Sequence, residues 1–196
     1  MGFDMSDIWV ISDTHFHHAN ILNFFDSNTG LKIRPSFASV DEMDEFMVDN
    51  WNSVVKQGDK VYHLGDVFIG DKDKFKKLWP KLNGSKNLIV GNHDDIRFLS
   101  SGGFFKSVYL ERKFRDMKLH LSHIPLHQSQ HEVGAPGSGI NYVNVHGHIH
   151  QNPSPAGRYI NVSVEAINYT PVHLEELALQ AANILSTEQA KRETNE

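Results

Sequence analysis

IWVISDTH, at residues 8–15, is a short run of apolar and β-branched residues that ends in a polar cluster containing Asp13 and His15. A run of this length, closed by polar residues, predicts a buried β-strand. In extended backbone, residues i and i+2 face the same side, so we expect Asp13 and His15 to reach one point. The stretch therefore predicts a core strand with two ligand-like side chains at its carboxyl end.

Similar runs follow along the chain, and most of them also end in Asp, Asn or His. They predict strands at residues 60–64, 87–90, 118–122, 142–145 and 159–164. The polar side chains that come after these runs are Asp66, Asn92, His123, His146 and His148. Ligands in layered α/β folds tend to sit at the carboxyl ends of strands. With Asp13 and His15, the sequence offers seven side chains to one crevice.

The segments between these runs carry helical patterns. Ser39 and Glu42 have the spacing of a capping box. The helix predicted after them has a core side made of Met43, Phe46, Met47, Trp51 and Val54. Shorter helices are predicted at residues 73–79, ended by Pro80, and at residues 175–185, with a frayed tail over residues 190–196. Strands alternating with helices indicate an α/β layered fold, and the length suits a single domain over residues 1–196.

The composition is that of an ordinary globular protein, with 39% hydrophobic and 22% charged residues. The net charge of −5 gives no overall attraction to nucleic acid. The absence of cysteine excludes disulfides and thiolate metal sites. No apolar run approaches the roughly 20 residues that cross a bilayer, and no signal-peptide stretch begins the chain. We therefore expect a cytoplasmic protein that is not associated with membranes.

The chemistry of the seven side chains suggests a particular kind of metal site. Carboxylate, amide oxygen and imidazole ligands suit Mn²⁺, Fe²⁺ or Fe³⁺, Zn²⁺, Co²⁺ and Ni²⁺, whereas Mg²⁺ alone favours more carboxylates. Seven ligands are too many for one open catalytic ion but suit two ions that share a bridging carboxylate. Two ions about 3.5–4 Å apart can hold the attacking and leaving oxygens of a phosphoryl transfer. We expect two such ions, with Mn²⁺ favoured, and a phosphate-ester substrate.

Five ordered blocks give the chain a family resemblance. They are Asp13-Thr14-His15, Gly65-Asp66, Gly91-Asn92-His93-Asp94, His123 and His146-Gly147-His148. The set resembles the calcineurin-like metallophosphoesterases, and the flanking residues are similar to a small bacterial and phage-type branch of that family. The resemblance implies a four-layer α-β-β-α sandwich of two packed mixed sheets flanked by helices, with a dinuclear metal site at the strand ends. His17 and Ile149 depart from that branch, which usually has Gly and Thr at these positions.

The resemblance also implies roles for individual residues. The ligands implied for the first ion are Asp13, His15, Asp66 and His148. Those implied for the second ion are Asp66, Asn92, His123 and His146, so that Asp66 bridges the two. His93 would face the substrate as the catalytic residue. A hydroxide shared by the ions would attack phosphorus while His93 helps the leaving group depart.

Hydrolysis of a small nucleotide-like phosphodiester is the favoured function, because the chain is small and has no recognisable cap domain to enclose a monoester. A phosphomonoesterase of the same mechanism is the main alternative, and a nucleic-acid end is a further possible substrate. A non-catalytic scaffold of the same fold is disfavoured because the ligand set is complete. Residues 128–139, rich in Gly with one Pro, predict either a flap beside the crevice or a disordered loop. The sequence leaves the oligomeric state open.

Several other polar residues have two interpretations. Arg34 and Arg97 are candidate substrate-binding residues, because a guanidinium group matches phosphate in a bidentate way; the alternative is a solvated arginine. His18 and His63 either orient metal ligands or are hydrogen-bonded histidines at strand ends. His150 is expected at the rim of the site.

Overall fold

The computed structural model of the protein describes residues 6–131 and 141–194. Within these residues the strands are β1 Ile8–Ile11, β2 Lys60–His63, β3 Ser85–Ile89, β4 Ser107–Tyr109, β5 Glu111–Phe114, β6 Leu119–Ser122, β7 Val143–His146, β8 Tyr159–Asn161 and β9 Val172–His173. The α-helices are α1 Val40–Val54, α2 Lys72–Leu78, α3 Ile96–Ser101 and α4 Leu174–Glu193. Short 3-10 helices cover Ala19–Asn23, Trp79–Lys81 and Gln128–Gln130.

The strands form two mixed sheets. The first has the order β4-β3-β2-β1-β9, and β9 runs antiparallel to β1 while the other pairs are parallel. The second has the order β5-β6-β7-β8, and β5 runs antiparallel to β6. Because β1, β2 and β3 are mutually parallel, the loops that follow them leave from one edge of the first sheet. The loops after β6 and β7 likewise leave from one edge of the second sheet.

The two sheets meet just beyond the end of β1. Ser12 N–H donates to the carbonyl O of Val162 at 3.0 Å, and Val164 N–H donates to the carbonyl O of Ser12 at 3.1 Å. These bonds form a parallel bridge between Ser12 and Ser163. The chain after β8 therefore runs beside the chain after β1, which brings loops from both sheets to one place.

Two apolar cores hold the sheets and helices together. The first joins α1 and α2 to one face of the first sheet, and it includes Ile11, Met43, Met47, Trp51, Val61, Phe75 and Leu88. The second joins both sheets to α4, and it includes Val10, Tyr62, Ile89, Leu119, Leu121, Val143, Val145 and Leu177. Successive strand residues face opposite sides, so Val10 and Ile11 of β1 belong to different cores.

The layered α/β fold of two packed mixed sheets and helices, predicted from the sequence, is confirmed. Ser39 caps α1 as expected, with its Oγ accepting from Glu42 N–H at 3.1 Å. β4, β5 and β9 were not predicted, because they are short and none of their residues is fully buried. No helix in the described part of the chain is long and apolar enough to span a bilayer.

Two details of the helix predictions are wrong. Phe46 is 40% exposed and packs beside Phe37 and Tyr169 at the surface, so it is not a core residue. α4 continues to Glu193, so residues 190–193 are helical and not a frayed tail. The residues from Glu188 onward are mostly Glu, Gln, Ala, Lys and Arg, which are strong helix formers, and they extend the helix beyond its apolar stripe. In the segment predicted to be a flap, residues 132–139 lie outside the described residues.

Candidate metal centre

Several of the ligand-like residues at the strand ends lie in left-handed backbone. The φ angle is 57° at Asp13, 48° at His15, 55° at Asp66, 70° at His148 and 52° at His150. Residues other than glycine rarely adopt this region, and each such residue costs about 1–3 kcal/mol. The extended backbone expected for residues 13–15 is therefore wrong, and surrounding contacts must hold these turns in place.

A first group of side chains consists of Asp13, His15 and His150, whose potential ligand atoms lie within 4.8 Å of one another. Asp13 Oδ2 accepts hydrogen bonds from His148 N–H at 2.8 Å and from the Ser163 hydroxyl at 3.0 Å. Among the residues the structure describes, Asp13 Oδ1 and both ring nitrogens of His15 are buried without a hydrogen-bond partner. Burial raises the pKa of Asp13 and lowers the pKa of His15. A cation bound here would supply the partner that these buried polar atoms require.

A second group consists of Asp66, His123 and His148, again with potential ligand atoms within 4.8 Å of one another. His123 Nδ1 donates to the carbonyl O of Leu64 at 2.8 Å, so Nε2 is the nitrogen that faces the group. His123 Nε2 lies 2.8 Å from Asn92 Oδ1, which brings an amide oxygen to the same point. Carboxylate, amide and imidazole donors together fit a divalent transition metal ion.

Asp66 lies between the two groups. Its Oδ2 is 3.6 Å from His15 Nε2 and 3.5 Å from His123 Nε2. Its Oδ1 accepts the backbone N–H of His93 at 2.9 Å, which fixes the orientation of the carboxylate. One carboxylate oxygen thus faces a histidine of each group, which is the arrangement that a ligand shared by two ions requires.

Asp94 holds the turn that carries Asp66. Its carboxylate accepts the backbone N–H groups of Asp66 at 3.1 Å, Val67 at 2.9 Å and Gly91 at 2.8 Å. The Asp94 carboxylate therefore caps the backbone N–H groups of this turn. A Cβ at Gly91 would collide with Asp66, so glycine is required there by the close approach of the two loops.

The loop after β7 differs from the arrangement expected from the sequence. His146 was expected to be a ligand, but it lies in neither group, with its Nε2 3.0 Å from Ser154 Oγ and its Nδ1 2.9 Å from Gly147 O. His150 was expected at the rim, but it belongs to the first group. His148 belongs to the second group and not to the first. The two histidines of this loop that enter the groups are thus His148 and His150, and both lie in left-handed backbone.

The two arginines proposed as substrate-binding residues lie in different environments. Arg34 is fully buried, and its guanidinium donates to Asp13 O at 2.7 Å, Thr14 O at 2.9 Å and Glu165 Oε1 at 2.8 Å. It cannot reach a substrate, so the prediction for Arg34 is wrong. Arg97 is exposed at the start of α3 and stays a candidate.

The remaining histidines near the groups differ in exposure. His93 is exposed, and its ring centroid is 5.9 Å from that of His15. The ring centroid of His18 is 5.6 Å from that of His15, and burial lowers the pKa of His18. His63 is buried, and burial lowers its pKa to about 3, so its ring is neutral. His63 Nε2 lies 2.9 Å from Thr14 Oγ1, which places it behind the ligand-bearing turn as a supporting residue.

Two packed mixed sheets that bring carboxylates and histidines to one edge define a layered α/β protein with a candidate metal centre. Within that class, the chain belongs to the calcineurin-like phosphoesterases, whose family model matches residues 6–189. The family resemblance identified from the sequence is therefore confirmed, and with it the general activity of phosphoester hydrolysis.

The chain is also similar to individual proteins. Uncharacterized protein MJ1445 of Methanocaldococcus jannaschii is 38% identical over 181 residues, which cover 87% of this chain and 89% of that protein. The Gene 66 protein of Mycobacterium phage L5 is 36% identical over 93 residues, which cover 46% of this chain and 41% of that protein. Among solved structures, protein AQ665 of Aquifex aeolicus has a TM-score of 0.64 and 27% identity, and the match covers 88% of this chain and 97% of that one. The phage relative agrees with the phage-type branch.

Proposed function

We propose that the protein hydrolyses a small nucleotide-like phosphodiester with the help of two metal ions that share Asp66. The observation that carries this proposal is the position of Asp66 Oδ2, within 3.6 Å of His15 Nε2 and 3.5 Å of His123 Nε2. A single carboxylate oxygen facing both groups favours two ions over one. The scaffold alternative is disfavoured because carboxylate, amide and imidazole ligands are present for both ions.

The proposed ligands follow the two groups of side chains. The first ion would be held by Asp13, His15, Asp66 and His150. The second ion would be held by Asp66, Asn92, His123 and His148. This donor set contains no thiolate and several imidazoles, which suits Mn²⁺ as the favoured ion, with Fe, Zn, Ni or Co as alternatives. Elemental analysis of the purified protein identifies the ions that it retains.

When bound, the ions would activate water as a nucleophile near neutral pH and neutralise charge on the phosphoryl oxygens. The protein's own residues orient the substrate and move protons. His93 is exposed beside the first group, while its backbone N–H is held by Asp66, so its ring can approach a bound phosphate ester. There it would donate a hydrogen bond to a phosphoryl oxygen or a proton to the leaving oxygen. Arg97 is the candidate for a further contact with the substrate.

The preference for a diester over a monoester is supported by the polar groups around the site. Arg34, which contacts the backbone of the first group, is occupied by Asp13, Thr14 and Glu165 and is fully buried, so its guanidinium cannot contact a dianionic monoester. A diester carries one negative charge and needs less neutralisation. His93 and Asn92 are both exposed, so a substrate can approach the ligand groups from this side.

A hydrolysis panel tests the proposal. The full chain in Mn²⁺ is assayed with bis-p-nitrophenyl phosphate, with p-nitrophenyl phosphate and then with nucleotides. We expect diester hydrolysis at least as fast as monoester hydrolysis. A strong preference for the monoester in Mn²⁺, Zn²⁺ and Co²⁺ would favour the phosphomonoesterase alternative. A chain that binds metal but hydrolyses no ester would favour the scaffold.

A further inference from the structure

Arg34 and Glu165 form a buried ion pair directly behind the first group. Arg34 Nε lies 2.8 Å from Glu165 Oε1, and the two side chains are 0% and 3% exposed. The guanidinium and the carboxylate therefore lie at hydrogen-bond distance in the interior, where each offsets the charge of the other. Burying two charged groups costs free energy, which their hydrogen bonds must offset. The other contacts of the pair therefore indicate which part of the site it supports.

Glu165 orients the histidine of the first group. Its Oε1 lies 3.0 Å from His150 Nδ1. A carboxylate only accepts, so Nδ1 carries the proton and Nε2 is left with the lone pair that an ion requires. A carboxylate behind a metal-binding histidine fixes the ring and makes it a stronger ligand.

Arg34 holds the other loop of the same group. Its two terminal nitrogens donate to the carbonyl oxygens of Asp13 and Thr14, at 2.7 and 2.9 Å. These carbonyls belong to the left-handed turn that carries Asp13 and His15. One ion pair therefore supports the first group on two sides, through the backbone of one loop and through the imidazole of the other.

The second group is supported differently, since the Nδ1 proton of His123 is held by the uncharged backbone carbonyl of Leu64. We infer that Arg34 and Glu165 are positioning residues that set the affinity of the first ion site alone. This inference rests on the proposed two-ion function. It predicts that the two ion sites respond differently to loss of the Glu165 charge.

Mn²⁺ titration of the chelator-treated full chain tests the inference. Glu165→Gln keeps the size of the side chain and an acceptor oxygen but removes its charge. We expect the wild type to bind two ions, and Glu165→Gln to bind one with unchanged affinity and the other about 10- to 100-fold more weakly. A ¹⁵N-histidine NMR spectrum of the Zn²⁺-loaded wild type should show His150 protonated at Nδ1, and the Glu165→Gln variant should show a weakened hydrogen bond there.

Glu188→Gln is the matched control. Arg158 Nε lies 2.8 Å from Glu188 Oε2, the same pairing and distance as in the buried pair, but Glu188 lies on α4 in neither ligand group. We expect this variant to bind two Mn²⁺ with wild-type affinities. It shows whether loss of any Arg–Glu pair weakens metal binding through general destabilisation.

Three results would overturn the inference. Equal affinities in Glu165→Gln and wild type, or an equal loss at both sites, would show that Glu165 does not act on the first site alone. A wild-type chain that binds fewer than two Mn²⁺ would overturn the two-ion function itself, and this inference with it. If Glu165→Gln does not fold by circular dichroism, Arg34→Lys takes its place with the same expected loss, because Lys keeps the charge but cannot make the three contacts of Arg34.

Discussion

The loop after β1 and the loop after β7 share a backbone pattern but deliver their side chains differently. Asp13 and His15 alternate in left-handed backbone, and His148 and His150 do the same. Both residues of the β1 loop enter the first group, whereas the β7 loop sends His150 to the first group and His148 to the second. A spacing of two residues therefore brings side chains to the metal edge but does not fix which group they join.

Asp66 gives the largest test of this comparison, because it lies between the two groups. In Asp66→Asn, both groups lose their shared carboxylate, so we expect both ions to bind weakly and turnover to fall by about 10³-fold or more. The measurement is elemental analysis together with diester hydrolysis. Asp116→Asn, an exposed aspartate between β5 and β6, is the control and should match the wild type. An Asp66→Asn protein with two tightly bound ions and normal activity would contradict the shared site.

Variants at His146 and His150 test which histidines of the loop after β7 bind an ion. We expect His150→Gln to lose one ion and to reduce kcat by about 10²-fold or more, because the first group loses a ligand. His146→Gln should retain both ions, since His146 contacts Ser154 and Gly147 and lies in neither group. Metal content of the two variants is measured side by side. The opposite outcome would restore the grouping that the sequence alone suggested.

His93 lies in neither loop, and replacing it should slow the chemical step without changing metal binding. We expect His93→Ala to keep both ions and to lose about 10²-fold in kcat on an alkyl ester, within the usual range for general acid catalysis. The loss on a nitrophenyl ester should be smaller, because that leaving group needs little protonation. Equal losses on both esters would leave His93 only the role of stabilising charge. Loss of an ion would mean that His93 is itself a ligand.

The smallest expected effect is a change in the stability of the fold at acid pH, and it depends on the charge of Glu165. Glu165 has its pKa lowered from 4.5 to about 2 in the folded protein. Its charged form therefore stabilises the fold above pH 4.5, and this contribution is lost as the pH falls through about 2. The shift corresponds to about 3 kcal/mol. The difference in Tm between metal-free wild type and Glu165→Gln should shrink over that pH window, and a constant difference would show that Glu165 is not paired as described.

Much of this site can be predicted from the sequence, because strand ends are visible as apolar runs that stop at polar residues. The convergence of Asp13 and Asp66 follows from the parallel strands that carry them, whereas His123 comes from the second sheet, which meets the first beside Ser12. Which histidines of the β7 loop join the groups does not follow, because His146, His148 and His150 all alternate by two. The backbone dihedrals distinguish them, because His148 and His150 are left-handed and His146 is not, and histidine adopts both conformations.

The role of Arg34 is also hidden from the sequence. An arginine in a loop with a neighbouring proline has the appearance of a surface or substrate-binding residue. Its burial depends on Glu165, which is 131 residues away, and no local pattern links the two. Long-range ion pairs of this kind require the fold before they can be recognised.

The junction between the sheets also has a consequence for synthesis of the protein. Asp13 accepts hydrogen bonds from residues that are 135 and 150 positions further along the chain. At translation rates of about 5–20 residues per second, the ribosome releases Asp13 and His15 on the order of ten seconds before Ser163. The nascent amino-terminal segment therefore carries Asp13 and His15 before His150, the third residue of the first group, has been made. Binding of the proposed first ion must therefore wait until His148 and Ser163 have emerged to hold the Asp13 carboxylate.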